Sequence, residues 1–357
     1  QAAHAVVDGR RLVNFSSNDY LGLAADPRLR AAAHASIDAL GVGAGASPLV
    51  SGYMEAHREA EARFARFCGL PAALLFASGY AANLGVLAAL CDRHGEIFAD
   101  RLDHACLNDG AILSRAALTR YAHLDLDGLA ARLAASRAEV RVVATDTVFS
   151  MDGDMAPVPE LLALCERHDA WLLLDDAHGV GVLGATGRGS LEHFGVTSPR
   201  IIYMATLGKA LGGYGAFVAG TPELAQWLVQ RARTYVYSTA LPPMAAAAAT
   251  AAMDILEQDS FLVERLRSRV ARFRAGCEAA GLQVMPSQTA IQPMVLGEAQ
   301  RALDASAALL DRGYLVPAIR PPTVPAGTSR LRISLSAGHS DGDVDGLITA
   351  LAATARP

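Results

Sequence analysis

Trp171-Leu172-Leu173-Leu174-Asp175-Asp176-Ala177-His178-Gly179 is an apolar run that ends abruptly in two acids and an imidazole. Four large apolar residues in succession read as a strand buried on both faces, and the polar end marks where it leaves the core. Farther along, Thr206-Leu207-Gly208-Lys209-Ala210-Leu211-Gly212-Gly213 frames a lysine in a small-residue loop that carries no other charge. An acid beside an imidazole at a strand's carboxyl end, with a later lysine framed by glycine, supplies what a pyridoxal phosphate (PLP) site requires. The amine can form a Schiff base with the aldehyde, and the acid can keep the pyridine nitrogen protonated so that the ring accepts electrons. The chain therefore reads as an enzyme.

Working outward, short apolar runs at Leu74–Phe76, Val140–Ala144, Ile201–Ala205 and Ala216–Ala219 alternate with helical patterns such as Glu55–Cys68 and Pro159–His168. Buried strands separated by helices imply a mostly parallel sheet covered on both faces, with ligands at the strands' carboxyl ends. After Pro242-Pro243 the pattern turns helical from Met244 to about Ala280, then gives shorter strands around Val284, Met294 and Leu331–Leu335. The expected organisation is an N-terminal segment at 1–20, a large α/β domain at 21–250 and a smaller α+β domain at 251–357.

Composition bounds the rest. At 357 residues, 52% hydrophobic and 19% charged, the chain is globular, and its net charge of −5 gives no reason to expect nucleic acid. Its longest small apolar run, Met244–Met253, is too short to span a membrane, which needs about 18 residues or more. Five widely spaced cysteines show no metal-ligand spacing, so no metal is expected, and reduced thiols in a cytoplasm fit them. Gln1 is not an initiating methionine and no basic-then-apolar leader opens the chain, so the start is expected to have been trimmed or to lie upstream.

Several residues carry two readings at this stage. Ala77-Ser78-Gly79-Tyr80 follows a strand and opens a helix, so its backbone N–H groups suit a phosphate, although many strand-to-helix turns contain Ser-Gly. Asp175 fits a pyridine nitrogen, a helix cap or a salt bridge. His178 fits a cofactor oxygen or a loop hydrogen bond. Thr206 suits either phosphate or a cap. His104, in Asp100-Arg101-Leu102-Asp103-His104, fits stacking on a ring or a satisfied turn. Arg330 and Arg332 share one face of a strand by its period of two, where Arg332 could grip a carboxylate bidentately or both could be solvated.

Taken together, these stretches closely resemble the α-oxoamine synthases, PLP-dependent enzymes of fold type I, the aspartate-aminotransferase-like transferases. The resemblance covers nearly the whole chain. It rests on Asn14 to Leu23, Leu49-Val50-Ser51-Gly52-Tyr53, Asp100-Arg101-Leu102 with His104, Val148 to Asp154, Asp175 to Gly179, Tyr237-Ser238-Thr239 and Ala318 to Gly327. It implies an acyltransferase with PLP held by Lys209, which then serves as the proton-transfer base. It also implies that His104 stacks on the ring, Asp175 pairs with its nitrogen, and Ser150 and His178 position its substituents. Gly79, Tyr80 and Thr206 would hold the phosphate, joined by Ser238 and Thr239 of a homodimer partner. Asn18, His104, Thr323 and Arg332 would meet substrate.

Within the family, Ser150-Met151-Asp152-Gly153-Asp154, Val50 to Tyr53 and Arg320 to Pro325 favour the member of biotin biosynthesis. That member condenses L-alanine with pimeloyl-CoA or pimeloyl-acyl carrier protein. The alternatives are glycine C-acetyltransferase, 5-aminolevulinate synthase, serine palmitoyltransferase, an aminotransferase, or a non-catalytic PLP-binding dimer. Three departures stand out: relatives begin with an extra helical segment, whereas Pro48 and Gly213-Tyr214 replace other residues and are expected to reshape the substrate channel.

Overall fold

Seven strands form one sheet in a unit made of residues 27–149 and 155–258. The computed structural model describes residues 3–259 and 261–354. Across that sheet the order is Ala72–Phe76, Ala216–Gly220, Ile201–Thr206, Trp171–Asp175, Val140–Asp146, Gly95–Asp100 and Ala117–Tyr121. All neighbours are parallel except Ala216–Gly220, which runs against both of its partners. The α/β class with a mostly parallel sheet is thus the observed one. Val142, Val143, Leu172, Leu173, Leu174 and Ile202 are wholly buried. Helices on both faces remove the polar alternation of a one-sided sheet, which is why these strands are continuous apolar runs.

Register fixes the chemistry's location. Asp146 is paired with Asp175 and Asp175 with Met204, while Asp100 ends the neighbouring strand, so three carboxylates arrive at one edge of the sheet. Phe76 lies opposite Ala216 and Thr206 opposite the same residue, so the Ser78-Gly79 turn and the Leu207–Gly215 loop leave from that edge too.

The second unit comprises residues up to Asp26, Ser150–Asp154, and residues from Asp259 onward. It holds two three-stranded sheets, one formed by His4–Val7, Arg10–Asn14 and Tyr314–Leu315, the other by Ile291–Gly297, Ser329–Ser334 and Ala318–Ile319. Helices Phe261–Ala279, Ala299–Asp311 and Asp341–Thr354 accompany them. The expected strand at Val284 does not form. Leu282–Met285 has no ladder: a single backbone bond, Met285 N–H to the Pro293 carbonyl, joins it to the strand Ile291–Gly297, and Pro286 lacks the N–H that would extend pairing. The long helical stretch is two helices, Pro243–Gln258 and Phe261–Ala279, the second starting where the Leu262 N–H reaches back to the Asp259 carbonyl.

A buried imidazole couples this unit's stability to pH. His339, 1% exposed, accepts the Ser336 N–H on Nδ1 at 3.0 Å and points Nε2 at the Asn14 carbonyl 3.0 Å away, which sets the neutral Nε2–H tautomer. Its ring stacks on Phe15 with centroids 4.1 Å apart. Burial pushes its pKa down to about 4. An unfolded histidine takes its proton near pH 6.5, so as pH falls from there toward 4 the unfolded state binds more protons and the fold loses up to roughly 3 kcal/mol. Melting temperature is expected to drop across this window in the wild type and to drop less in His339→Asn; equal slopes would contradict this.

Candidate active site

The carboxyl edge of the large sheet gathers most of the residues singled out in the sequence. Asp175, 4% exposed, accepts the Ala177 N–H on Oδ1 at 3.0 Å and the Asn83 side-chain amide on Oδ2 at 2.7 Å. No Lys, Arg or His lies within ion-pair distance of it among the described residues. Of the readings open in sequence, neither the salt bridge nor a helix cap describes it. A buried carboxylate without a cation is costly, and its chemistry fits a protonated ring nitrogen.

Lys209 Nζ sits 2.8 Å from His178 Nε2, and His178 is itself buried. The loop presenting the lysine is braced by its own backbone: Leu207 N–H donates to the Gly215 carbonyl, Gly213 N–H to Leu207, and Gly212 N–H to Lys209. Thr206 Oγ donates to the Gly215 carbonyl at 3.1 Å and accepts the Gly208 N–H at 3.3 Å, so it ties the two ends of the loop together. Gly215 takes φ +106°, and a Cβ there would approach the Phe76 carbonyl to 3.1 Å, so this corner requires glycine.

At the same edge, Ser78 caps the helix Gly79–Leu90, its Oγ accepting the Ala81 N–H. The N–H groups of Gly79 and Tyr80 belong to the first turn, which has no intrahelical acceptors, so they suit an anion. The Tyr80 hydroxyl donates to Asp109. His104 caps the helix Ala105–Ser114 through Nδ1, which accepts the Cys106 N–H at 3.2 Å, and its backbone N–H donates to Asp146 Oδ2 at 3.0 Å. Its ring remains exposed, so the turn-satisfying role is realised and a face stays open for stacking.

Asp146 and Asp103 form a buried acid pair behind His104. Asp103 Oδ1 accepts the Asp146 N–H at 3.0 Å. Burial first, then the neighbouring carboxylates, push both well above the usual carboxylate range. Ser238 and Thr239 line a small cavity of the same unit with Tyr53, His57 and Glu61. There burial raises Glu61 to about 7, and the Tyr53 hydroxyl donates to it at 2.6 Å.

The remaining candidates belong to the other unit. Arg332, 5% exposed, donates through Nε to the Ser150 carbonyl at 2.6 Å and through Nη1 to Ser334 Oγ at 2.9 Å, with Asn18 Oδ1 at 3.2 Å. It has no carboxylate partner among the described residues. Arg330, two residues back on the same face, ion-pairs with Asp152 at 2.6 Å. Thr323 is exposed in the turn after Arg320 and touches none of these groups through a hydrogen bond of its side chain. Among the described residues no cluster of His, Cys, Asp or Glu could hold a metal ion.

Two signals escaped the reading of motifs. Lys209 is the only lysine in 357 residues, so thirty of the 31 basic positions are arginine, a signal that a simple count provides. Asn83 is the one side chain with an amide in an otherwise apolar helix, and it proves fully buried against Asp175.

The sheet, with an acid, a lysine and a helix terminus at its carboxyl edge, defines a PLP-dependent enzyme of fold type I. A model of the class I and II aminotransferases matches residues 10–351. The 8-amino-7-oxononanoate synthase of Methylobacillus flagellatus is 57% identical over 351 residues, covering 98% of this chain and 89% of its own. Among solved structures, that enzyme from Francisella tularensis aligns with a TM-score of 0.83 at 31% identity, covering 96% and 97% of the two chains. A serine palmitoyltransferase from S. paucimobilis with bound PLP and myriocin gives 0.94 at 30% identity, covering 99% and 89%. The chain belongs to the class I and II aminotransferase family and, within it, to the 8-amino-7-oxononanoate synthases.

Proposed function

We infer that this chain condenses L-alanine with a pimeloyl thioester, of CoA or of acyl carrier protein, to give 8-amino-7-oxononanoate, CO2 and the free thiol in biotin biosynthesis. The carrying observation is the 57% identity to a synthase of that name across nearly the full chain. When bound, PLP supplies an electron sink for the pair left on the amino acid's α-carbon. Asp175 would keep the ring nitrogen protonated, the first turn at Gly79 and Tyr80 with Thr206 would take the phosphate, His104 would stack on the ring, and Ser150 and His178 would position its substituents. Arg332, buried without an acid, would meet the alanine carboxylate with help from Asn18, while Thr323 would line the substrate site.

Lys209 Nζ, as free amine, removes the alanine α-proton, and the imidazole of His178, 2.8 Å away, steadies it. A C–C bond then forms to the thioester carbonyl carbon as the C–S bond breaks and the thiol leaves with a proton. Loss of the carboxylate as CO2 leaves an electron pair on the same carbon, to which Lys209 returns a proton. Holding the partners in line is worth on the order of 7–11 kcal/mol, which accounts for so many residues that only position.

A homodimer completes the site, with Ser238 and Thr239 of the second copy joining the phosphate. Exposed Val42, Val50 and Tyr237, at 66%, 79% and 72%, are apolar surface of the kind a second copy would cover. A cytosolic location completes the reading and fits five buried cysteines that form no disulfide. No helix among the described residues is long and apolar enough to cross a membrane.

Incubating PLP-loaded protein with alanine or glycine and a panel of acyl thioesters is expected to yield the alanine-derived amino ketone from pimeloyl thioester, with one CO2 per ketone. A glycine-derived ketone as main product, or ketone without CO2, would overturn the assignment.

A further inference from the structure

We propose that Asn83 is a positioning residue that holds the Asp175 carboxylate in the orientation its charge must keep, an inference that rests on the PLP site described above. Asn83 lies one turn beyond Gly79 on Gly79–Leu90, so the helix whose terminus suits the phosphate also reaches the carboxylate proposed for the ring nitrogen. Both amide hydrogens are used: Nδ2 donates to Asp175 Oδ2 at 2.7 Å and to Cys106 Sγ at 3.1 Å. Oδ1 of Asn83 is buried and accepts from no group among the described residues.

An amide placed only for packing would turn so as to satisfy its oxygen, since a buried unpaired acceptor is costly. Turning this one would set Oδ1 against Asp175 Oδ2, two acceptors with no proton between them. The orientation that leaves Oδ1 orphaned is therefore the one an ionised Asp175 demands. Oδ1 carries the Ala177 N–H, while Oδ2 carries the Asn83 amide at 2.7 Å and a long contact from the Cys106 thiol at 4.0 Å, and each oxygen keeps further lone pairs for a partner. Remove Asn83 and Oδ2 keeps only the long Cys106 thiol contact, so the carboxylate is held less firmly about its broad terminal torsion. Asn83→Asp keeps the shape and places a second carboxyl beside the first, so that the pair shares a proton and Asp175 loses charge.

The test uses PLP-loaded enzyme in two measurements: the 15N shift of ring-labelled PLP, and exchange of the alanine α-proton with D2O in the absence of thioester. Asn83→Ala is expected to slow exchange about 10- to 100-fold, the worth of one hydrogen bond to a charged group, and to move the 15N shift toward the unprotonated ring. Asn83→Asp should do at least as much, and it decides the matter if the alanine variant does not fold. On an Asp175→Asn background the same Asn83→Ala change should alter exchange less than about 3-fold, because the group it orients has gone. Equal losses on both backgrounds, or an unchanged shift and rate in Asn83→Ala, would refute the role of Asn83 alone. If Asp175→Asn by itself leaves exchange unchanged, the site reading falls and the inference with it.

Discussion

Lys209→Ala is expected to lower turnover by at least about 10⁴-fold, the upper range of what a positioned base contributes, while the folded structure persists. The side chain is half-buried in a loop whose geometry comes from Leu207, Gly212, Gly213 and Gly215, none of which needs the amine. Its contact with His178 Nε2 is a pairing of two functional groups rather than a link in the core. Circular dichroism and melting temperature should therefore change little. Because no other lysine exists in the chain, borohydride reduction of the PLP-loaded protein should fix the label to the peptide carrying residue 209, and Lys209→Ala should take up none. Normal ketone formation by the variant would remove the amine from the mechanism.

The parts of this architecture that follow one-dimensional rules were legible before any coordinates. Trp171–Asp175 reads as a strand because burial on both faces leaves an unbroken apolar signature, and the polar residues after it mark the edge where Asp175 and His178 emerge. Lys209 stands out because a charge framed by glycines has no packing role to explain it. Local pattern misled at Val284, where apolar residues suggest a strand but Pro286 and the absence of a continuous partner prevent one. Asn83 was invisible for a different reason. An amide in an apolar helix looks like a weak helix former until Asp175, 92 positions away in sequence, is brought to within 2.7 Å. The double reading of His104 likewise needed coordinates, since capping a helix and offering a ring face are compatible in space although they compete as explanations.

Arg330 and Arg332 show how far a sequence pattern goes and what the structure adds. Period two puts both on one face, and both are 5% exposed, yet only Arg330 has a carboxylate, Asp152, to offset its charge. A desolvated guanidinium held by neutral oxygens of Ser150, Asn18 and Ser334 is oriented but not neutralised. Its electrostatics improve only when an anion arrives. Arg332→Ala is thus expected to reduce kcat/KM for alanine by about 10²–10³-fold, the range for breaking a buried charge pair, chiefly through KM. Arg332→Lys should recover only part of this, since an ammonium cannot reproduce the two-pronged geometry. Arg330→Ala should behave in the opposite sense. It leaves the half-buried Asp152 carboxylate without its cation, so it should cost about 1–3 kcal/mol of stability in denaturant titration with a smaller effect on KM. If Arg332→Ala destabilises the protein as Arg330→Ala does and leaves KM for alanine alone, Arg332 is a structural cation and the carboxylate of the substrate binds elsewhere.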